Sequence, residues 1–276
     1  MTVKIVTDST SDMPPELAAE LGVTVIPLTV FFGEEAFKDG IDITRDEFMT
    51  RLTTGGVFPH TSQPSPGDFV EVYKKLTEAG DDVVSIHISD KLSGTLNSAR
   101  GAVQELPNAR IELVDTQLTS LALTLVVRAA AVAASGGATA EEVVRIADEA
   151  SSKIDLFFLL DTLEYLSKGG RIGKAQALIG GLLSIKPVLK LVDGELHPHE
   201  KVRTRAKALA RMKEIAKEGA PYEEIALIHE LPAEEVREFE DFLRPLSKAP
   251  LLTGRIGSVI GTHTGPNVIG FALWRA

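Results

Sequence analysis

Val3-Lys4-Ile5-Val6-Thr7-Asp8-Ser9-Thr10-Ser11-Asp12-Met13-Pro14-Pro15-Glu16-Leu17-Ala18-Ala19-Glu20-Leu21 joins a short β-branched run, a hydroxyl-rich turn and a helix-favouring segment. Val, Ile and Thr suit a pleated strand. Ser11 and Asp12 before Pro14-Pro15 form a helix start, because hydroxyl and carboxylate oxygens accept the first free N–H groups and proline needs none. The pattern recurs. Residues 83–88 and 111–114 are further strand-like runs, and 23–32 is a longer apolar segment between the first two. Residues 66–79, 95–106 and 119–134 have helical spacing or composition, and Ser65-Pro66 with Asp68 marks the start of the first of these. Strands alternating with helices predict βαβ units, hence a three-layer α/β/α domain with a mainly parallel sheet over residues 1–153.

After Gly136-Gly137, Thr139-x-x-Glu142 has the spacing of a capping box for one more helix, ending near Ser152, and a domain boundary is expected there. A smaller carboxyl-terminal α/β domain is expected over 154–276. It opens with the apolar run 155–161 and a glycine-broken basic segment. Residues 182–192, the turn Asp193-Gly194, a polar helix at 204–218, a strand at 225–229, an acidic helix at 232–246 and a glycine-rich tail from 254 follow. A length of 276 residues suits two domains.

Composition excludes several functions. A formal charge of -10 argues against nucleic-acid binding, which needs a basic face to displace phosphate counterions. The absence of cysteine removes disulfides, thiolate nucleophiles and cysteine metal sites, and with no signal-peptide pattern the cytoplasm is the expected location. Residues 121–134 are too short to span a membrane and carry Arg128, so they read as a buried helix.

Ligands of open α/β sheets bind beyond the carboxyl ends of the strands, which directs attention to Asp8-Ser9-Thr10, residues 89–95 and Asp115-Thr116. Leu92-Ser93-Gly94-Thr95 opens into a helix, so it offers hydroxyls and N–H groups to an anion, although a helix cap alone explains it. It lacks the lysine of a phosphate loop and the flanking glycines of a hydrolase nucleophile. His60-Thr61-Ser62-Gln63-Pro64 reads as a bend. In Gly261-Thr262-His263-Thr264-Gly265-Pro266 an imidazole lies between hydroxyls, where it can serve a ligand carboxylate or merely a backbone group. Asp8, Asp12, Asp39, Asp42 and Asp115 lack the spacing of a metal or phosphatase centre, and His197 and His199 read as surface strand residues. Lys168, Arg171, Lys174, Lys201, Arg203 and Arg205 make basic islands, either solvated or fit to dock an acidic partner.

Five stretches taken together carry a resemblance: Ile5-Val6-Thr7-Asp8-Ser9-Thr10-Ser11-Asp12, Thr61-Ser62-Gln63-Pro64, Ser93-Gly94-Thr95, Leu163-x-x-Leu166-x-Lys168-Gly169-Gly170-Arg171-Ile172 and His263-Thr264-Gly265-Pro266. In this order they are similar to the DegV family, fatty-acid-binding proteins that in many bacteria serve a fatty acid kinase. Asn267 departs from an expected glycine. The resemblance implies that a long-chain fatty acid such as palmitate lies in a buried tunnel, with no other cofactor and no metal. It implies that Thr61, Ser93 and His263 hold the carboxylate, with backbone N–H groups of Gly94 and Thr95, and that Arg171 lies near the head group or on a partner surface. The kinase catalytic subunit is the implied partner and performs the chemistry, and Lys201, Arg203 and Arg205 are candidate contacts to it. The aliphatic run 178–185 is compatible with the tunnel. Two rivals are a hydrolase or transferase using Ser93 as nucleophile and His263 as base, and a lipid carrier unconnected to any kinase.

Overall fold

The computed structural model describes residues 2–179 and 185–276. The chain begins β1 (Val3–Asp8), α1 (Pro15–Leu21), β2 (Thr24–Ile26), β3 (Thr29–Phe32), β4 (Glu35–Lys38), α2 (Arg45–Thr54) and β5 (His60–Ser62). It continues through α3 (Pro66–Glu78), β6 (Asp82–His87), α4 (Thr95–Glu105), β7 (Ile111–Asp115), α5 (Ser120–Ser135) and α6 (Ala140–Lys153). The remainder is β8 (Ile154–Leu159), α7 (Glu164–Lys168), β9 (Lys186–Val192), β10 (Glu195–Val202), α8 (Arg205–Glu218), β11 (Glu224–His229), α9 (Ala233–Leu243), β12 (Leu252–Arg255), α10 (Ser258–Thr264) and β13 (Ile269–Trp274).

β2-β1-β6-β7 form a wholly parallel sheet, with Val6 opposite Thr24, Ile5 opposite Val84 and Ser85 opposite Leu113. Alternation along each strand divides its side chains between two cores. Val6 and Val83 pack with Phe69 and Tyr73 of α3 and Ala99 of α4, whereas Ile5, Val84 and Ile86 join the cluster that holds α5 and α6. This is the α/β/α arrangement expected from the sequence. Ser65 with Asp68 and Thr139 with Glu142 form the two capping boxes that start α3 and α6.

A second sheet, β10-β9-β8-β13-β11-β12, is antiparallel except for the β11–β12 pair. One of its faces, with Phe157, Leu227 and Phe271, packs on α8 and α9. The other, with Leu156, Phe158, Leu189 and Ile228, shares its apolar cluster with α5. α5 therefore lies between two sheets, touching β1 on one side and β11 and β13 on the other. That explains a helix whose residues from Ser120 to Val127 are all buried, and Arg128 ends this stretch paired with Glu224 of β11.

Three expectations change. The segment 23–32 is two strands: β2 belongs to the parallel sheet, while β3 starts an antiparallel sheet β4-β3-β5. Residues 60–62 are the strand β5 and not a bend, with Thr61 opposite Val30. The glycine-rich tail is ordered as β12, α10 and β13, and β13 lies inside the second sheet with Phe271 opposite Phe157. Glycine there serves close packing: a Cβ at Gly261 would stand 2.6 Å from the Phe48 ring, and one at Gly270 would stand 2.8 Å from that of Phe158. Of the aliphatic run 178–185, residues 180–184 lie outside the described residues, as does the start of the expected strand at 182.

Candidate functional site

Four segments distant in sequence meet beyond the carboxyl ends of the parallel strands. β5 presents Thr61, the loop between β6 and α4 presents Ser93, the loop after α7 presents Arg171, and α10 presents His263. α10 is held against β3, β5, α2 and α7, which brings His263 to the strand bearing Thr61. Thr61 Oγ1 and His263 Nε2 share a hydrogen bond of 3.0 Å. Ser93 Oγ lies 2.8 Å from Thr95 Oγ1 and accepts from the Thr95 N–H at 3.3 Å, so Ser93 both caps α4 and faces the site.

Arg171 donates from Nε to the Leu92 carbonyl at 3.1 Å and from Nη1 to the Gly169 carbonyl at 2.8 Å. These bonds tie the second half of the chain to the Ser93 loop and aim the guanidinium into the site. Among the described residues no carboxylate lies within 4.0 Å of it, although the other cavity-facing polar groups carry no compensating charge. Burial, and secondarily the charge of Arg171, lowers the His263 pKa to about 4, so the imidazole is neutral at physiological pH. Its Nδ1 is buried without a partner and lies against Gly169, where a Cβ would collide with it.

Behind these groups runs a cavity lined mostly by apolar side chains, Ile88, Phe158, Leu160, Leu189, Leu196 and Ile260 among them. About 700 Å³ around it is free of atoms, a figure that includes the open mouth and the solvent beyond. The centre of a water-sized sphere can move through only about 70 Å³ of this, so the space is a narrow slot. Polarity and burial change together along it. Thr61, Ser93, Arg171 and His263 are partly exposed, while Phe158, Leu160 and Leu189 are almost wholly buried. A polar mouth on an apolar slot suits an amphiphile with an anionic end.

The structure brings Thr61, Ser93, Arg171 and His263 together, with Gly94 and Thr95 in the same loop. Gly94 has a steric role too: a Cβ there would stand 2.7 Å from Gln63 Nε2, and Gln63 itself lines the mouth. Gln63 lies inside a motif singled out in the sequence but was not chosen, because a surface glutamine carries no signal of its own. Thr10, at one of the strand ends singled out in the sequence, also lines the cavity, as does Thr119, which no sequence motif marks.

Lys201 and Arg203 are exposed, outside the cavity lining and without an ion pair among the described residues. Arg205 is instead committed internally, to Asp161 at 2.9 Å, Glu235 at 3.9 Å and the Asn267 carbonyl at 3.0 Å. Asn267 adopts φ 60°, which explains why glycine is expected there, and its amide donates to Asp161 at 3.1 Å. No hydrogen bond joins Ser93 to His263: Ser93 pairs with Thr95 and His263 with Thr61. Among the described residues no cluster of His, Asp and Glu could hold a metal ion, and no helix is long and apolar enough to cross a membrane.

Comparison with known proteins agrees with the sequence motifs. The model of the DegV family, described as uncharacterised proteins, matches residues 2–276. A DegV domain-containing protein of Streptomyces coelicolor is 40% identical over 98% of both chains, and protein DegV of Bacillus subtilis is 33% identical over 98% of both. Among solved structures, a Thermus thermophilus DegV family protein described by its fatty acid binding superposes with a TM-score of 0.88 at 37% identity, covering 100% of each chain. Bacillus subtilis DegV, described as a fatty acid binding protein, gives 0.89 at 32% identity over 100% of each. A stearic acid-binding protein from Eubacterium ventriosum gives 0.86 at 30%, covering 99% of this chain and 98% of its own. The chain described here belongs to the DegV family.

Proposed function

We propose that this protein buries a long-chain fatty acid in the slot, holds its carboxylate at the mouth, and presents that carboxylate to a separate kinase for acyl phosphate formation. The observation that carries the ligand is the guanidinium of Arg171, fixed by two carbonyls and lacking an acid, at the polar end of an apolar slot. A carboxylate placed there gains the missing counter-charge and donors from Thr61, Ser93 and the loop at Gly94 and Thr95, which offset its desolvation. His263 joins the site through Nε2, the nitrogen shared with Thr61, while its Nδ1 stays packed against Gly169. The acyl chain supplies affinity: about 0.8 kcal/mol per methylene gives roughly 11 kcal/mol for some fourteen methylenes, before ordering costs. Solved relatives described as fatty acid binding support the same reading.

In this reading the protein is a substrate-presenting subunit, not itself a catalyst, working in the cytoplasm. Lys201 and Arg203 are the candidate contacts to an acidic face of the kinase, and Arg205 keeps the adjoining helix in place. Mass spectrometry under native conditions and after denaturing extraction tests the ligand. A stoichiometric fatty acid is expected, and an empty protein that fails to take up added palmitate overturns the carrier. Charge reversal at Lys201 and Arg203 is expected to abolish kinase-coupled turnover while leaving bound lipid in place. Unchanged turnover would remove those residues from the docking face. Hydrolysis of aryl esters by the protein alone would revive the enzyme reading.

A further inference from the structure

Thr119 occupies the N-cap position of α5, and its side chain makes no capping bond there. Elsewhere in the chain Thr44, Ser65, Thr139 and Thr204 hold the same position, and each accepts from the N–H three residues on. Leaving such a bond unmade has a cost. Thr119 is instead one of the residues lining the cavity, only 5% of it is exposed, and its buried Oγ1 has no hydrogen-bond partner among the described residues. A buried hydroxyl left without any partner is destabilising. Its lining neighbour Thr10 is not in this position, because the Thr10 hydroxyl is bound to Asp8.

Thr119 also stands apart from the mouth. It is among the buried residues of the slot, with Ile88, Phe158 and Leu160, and it makes no hydrogen bond with Thr61, Ser93, Arg171 or His263. A carboxylate held at the mouth would therefore put the body of the acyl chain, not its head group, beside Thr119. A plain methylene chain pressed against it excludes water and offers no partner. An oxygen on the chain restores one, since a threonine hydroxyl both donates and accepts.

Resting on the fatty-acid reading above, we infer that Thr119 is a specificity-determining residue that selects acyl chains bearing an oxygen, as a hydroxyl or a keto group, along their length. The test is the affinity of lipid-stripped protein for stearate and for a positional series of hydroxystearates and ketostearates, in the wild type, Thr119→Val and Thr119→Ser. In the wild type one oxygenated position is expected to bind about fivefold more tightly than stearate, the worth of one net hydrogen bond. Thr119→Val is expected to lose that preference and to bind stearate a few times more tightly, and Thr119→Ser to keep the preference. If stearate binds but every isomer is equal to it or weaker, or if the preference survives in Thr119→Val, the inference fails and the carrier reading stands. If no acid in the series binds, stearate included, it is the carrier reading that fails.

Discussion

His87 and His263 are both enclosed imidazoles with a hydroxyl neighbour, and they lie in opposite kinds of surroundings. His87 is a link in a closed chain. Tyr73 donates to Ser85 at 2.8 Å, Ser85 Oγ lies 2.7 Å from His87 Nε2, and His87 Nδ1 lies 2.8 Å from Asp8 Oδ2. Asp8 also accepts from the Ile88 N–H at 3.2 Å and from Thr10, and Tyr73, Ser85, His87 and Asp8 are all fully buried. This order of Ser, His and Asp matches a hydrolytic triad in name only, since nothing can reach Ser85. His263 bonds Thr61 through one nitrogen, its other nitrogen is unmatched and packed against Gly169, and the free side of Arg171 is unmatched beside an open slot. Where every polar atom is satisfied the network specifies the fold. Where donors are left over beside a cavity, they are waiting for a ligand.

The largest expected effect breaks the closed network. Asp8→Asn turns an acceptor of several bonds toward donors and should lower unfolding free energy by about 3 kcal/mol, read from urea denaturation. Loss of lipid without loss of stability would reverse the roles assigned to the two histidines. Next is the open network: Arg171→Met should weaken fatty acid binding by about 2 kcal/mol, near thirtyfold, with a smaller effect on stability, as titration of stripped protein would show.

A third test concerns protonation. Burial raises Asp12 to about 7, even though it accepts from Ser120 and from the Gly257 N–H at 2.8 Å, and Asp39 beside it is raised by the same cause. A carboxyl raised in the fold contributes stability that is complete below the ordinary value of 3.8 and is lost as pH rises through about 7. His263, lowered from 6.5 to about 4, acts in the opposite sense and costs stability as pH falls across that window. Asp12→Asn removes only the first effect. The wild type's advantage over this variant should shrink by about 2–3 kcal/mol between roughly pH 5 and pH 8. A difference independent of pH would mean that Asp12 ionises as an exposed carboxylate does. Smallest is Asn267→Gly, where relief at φ 60° and loss of the Asp161 bond nearly cancel. A change within about 0.5 kcal/mol is expected by thermal melting.

The parallel half of the fold was legible because its signals are local. The β-branched runs of β1 and β6, capping at Ser65 and Thr139, and the largely apolar run of α5 each act within a few residues. The second half was harder. α10 and β13 carry Gly261 and Gly270, which read as turns but make room for Phe48 and Phe158, whereas Gly265, at φ 73° just after α10, does turn the chain. Only the partner, far away in sequence, distinguishes a glycine that bends the chain from one that lets another group approach.

The sequence by itself determined the α/β class, most of the helices and the membership of Thr61, Ser93, Arg171 and His263 in one family of motifs. Tertiary structure decided what those residues do together. The Thr61–His263 bond spans 202 positions and the Arg171–Leu92 bond 79, and no local pattern encodes which donors such distances leave unpaired. The same holds for Thr119, which in the sequence is an ordinary helix cap. Its function depends on whether its hydroxyl finds a backbone N–H or an empty slot, and only the packing of α5 between two sheets settles that.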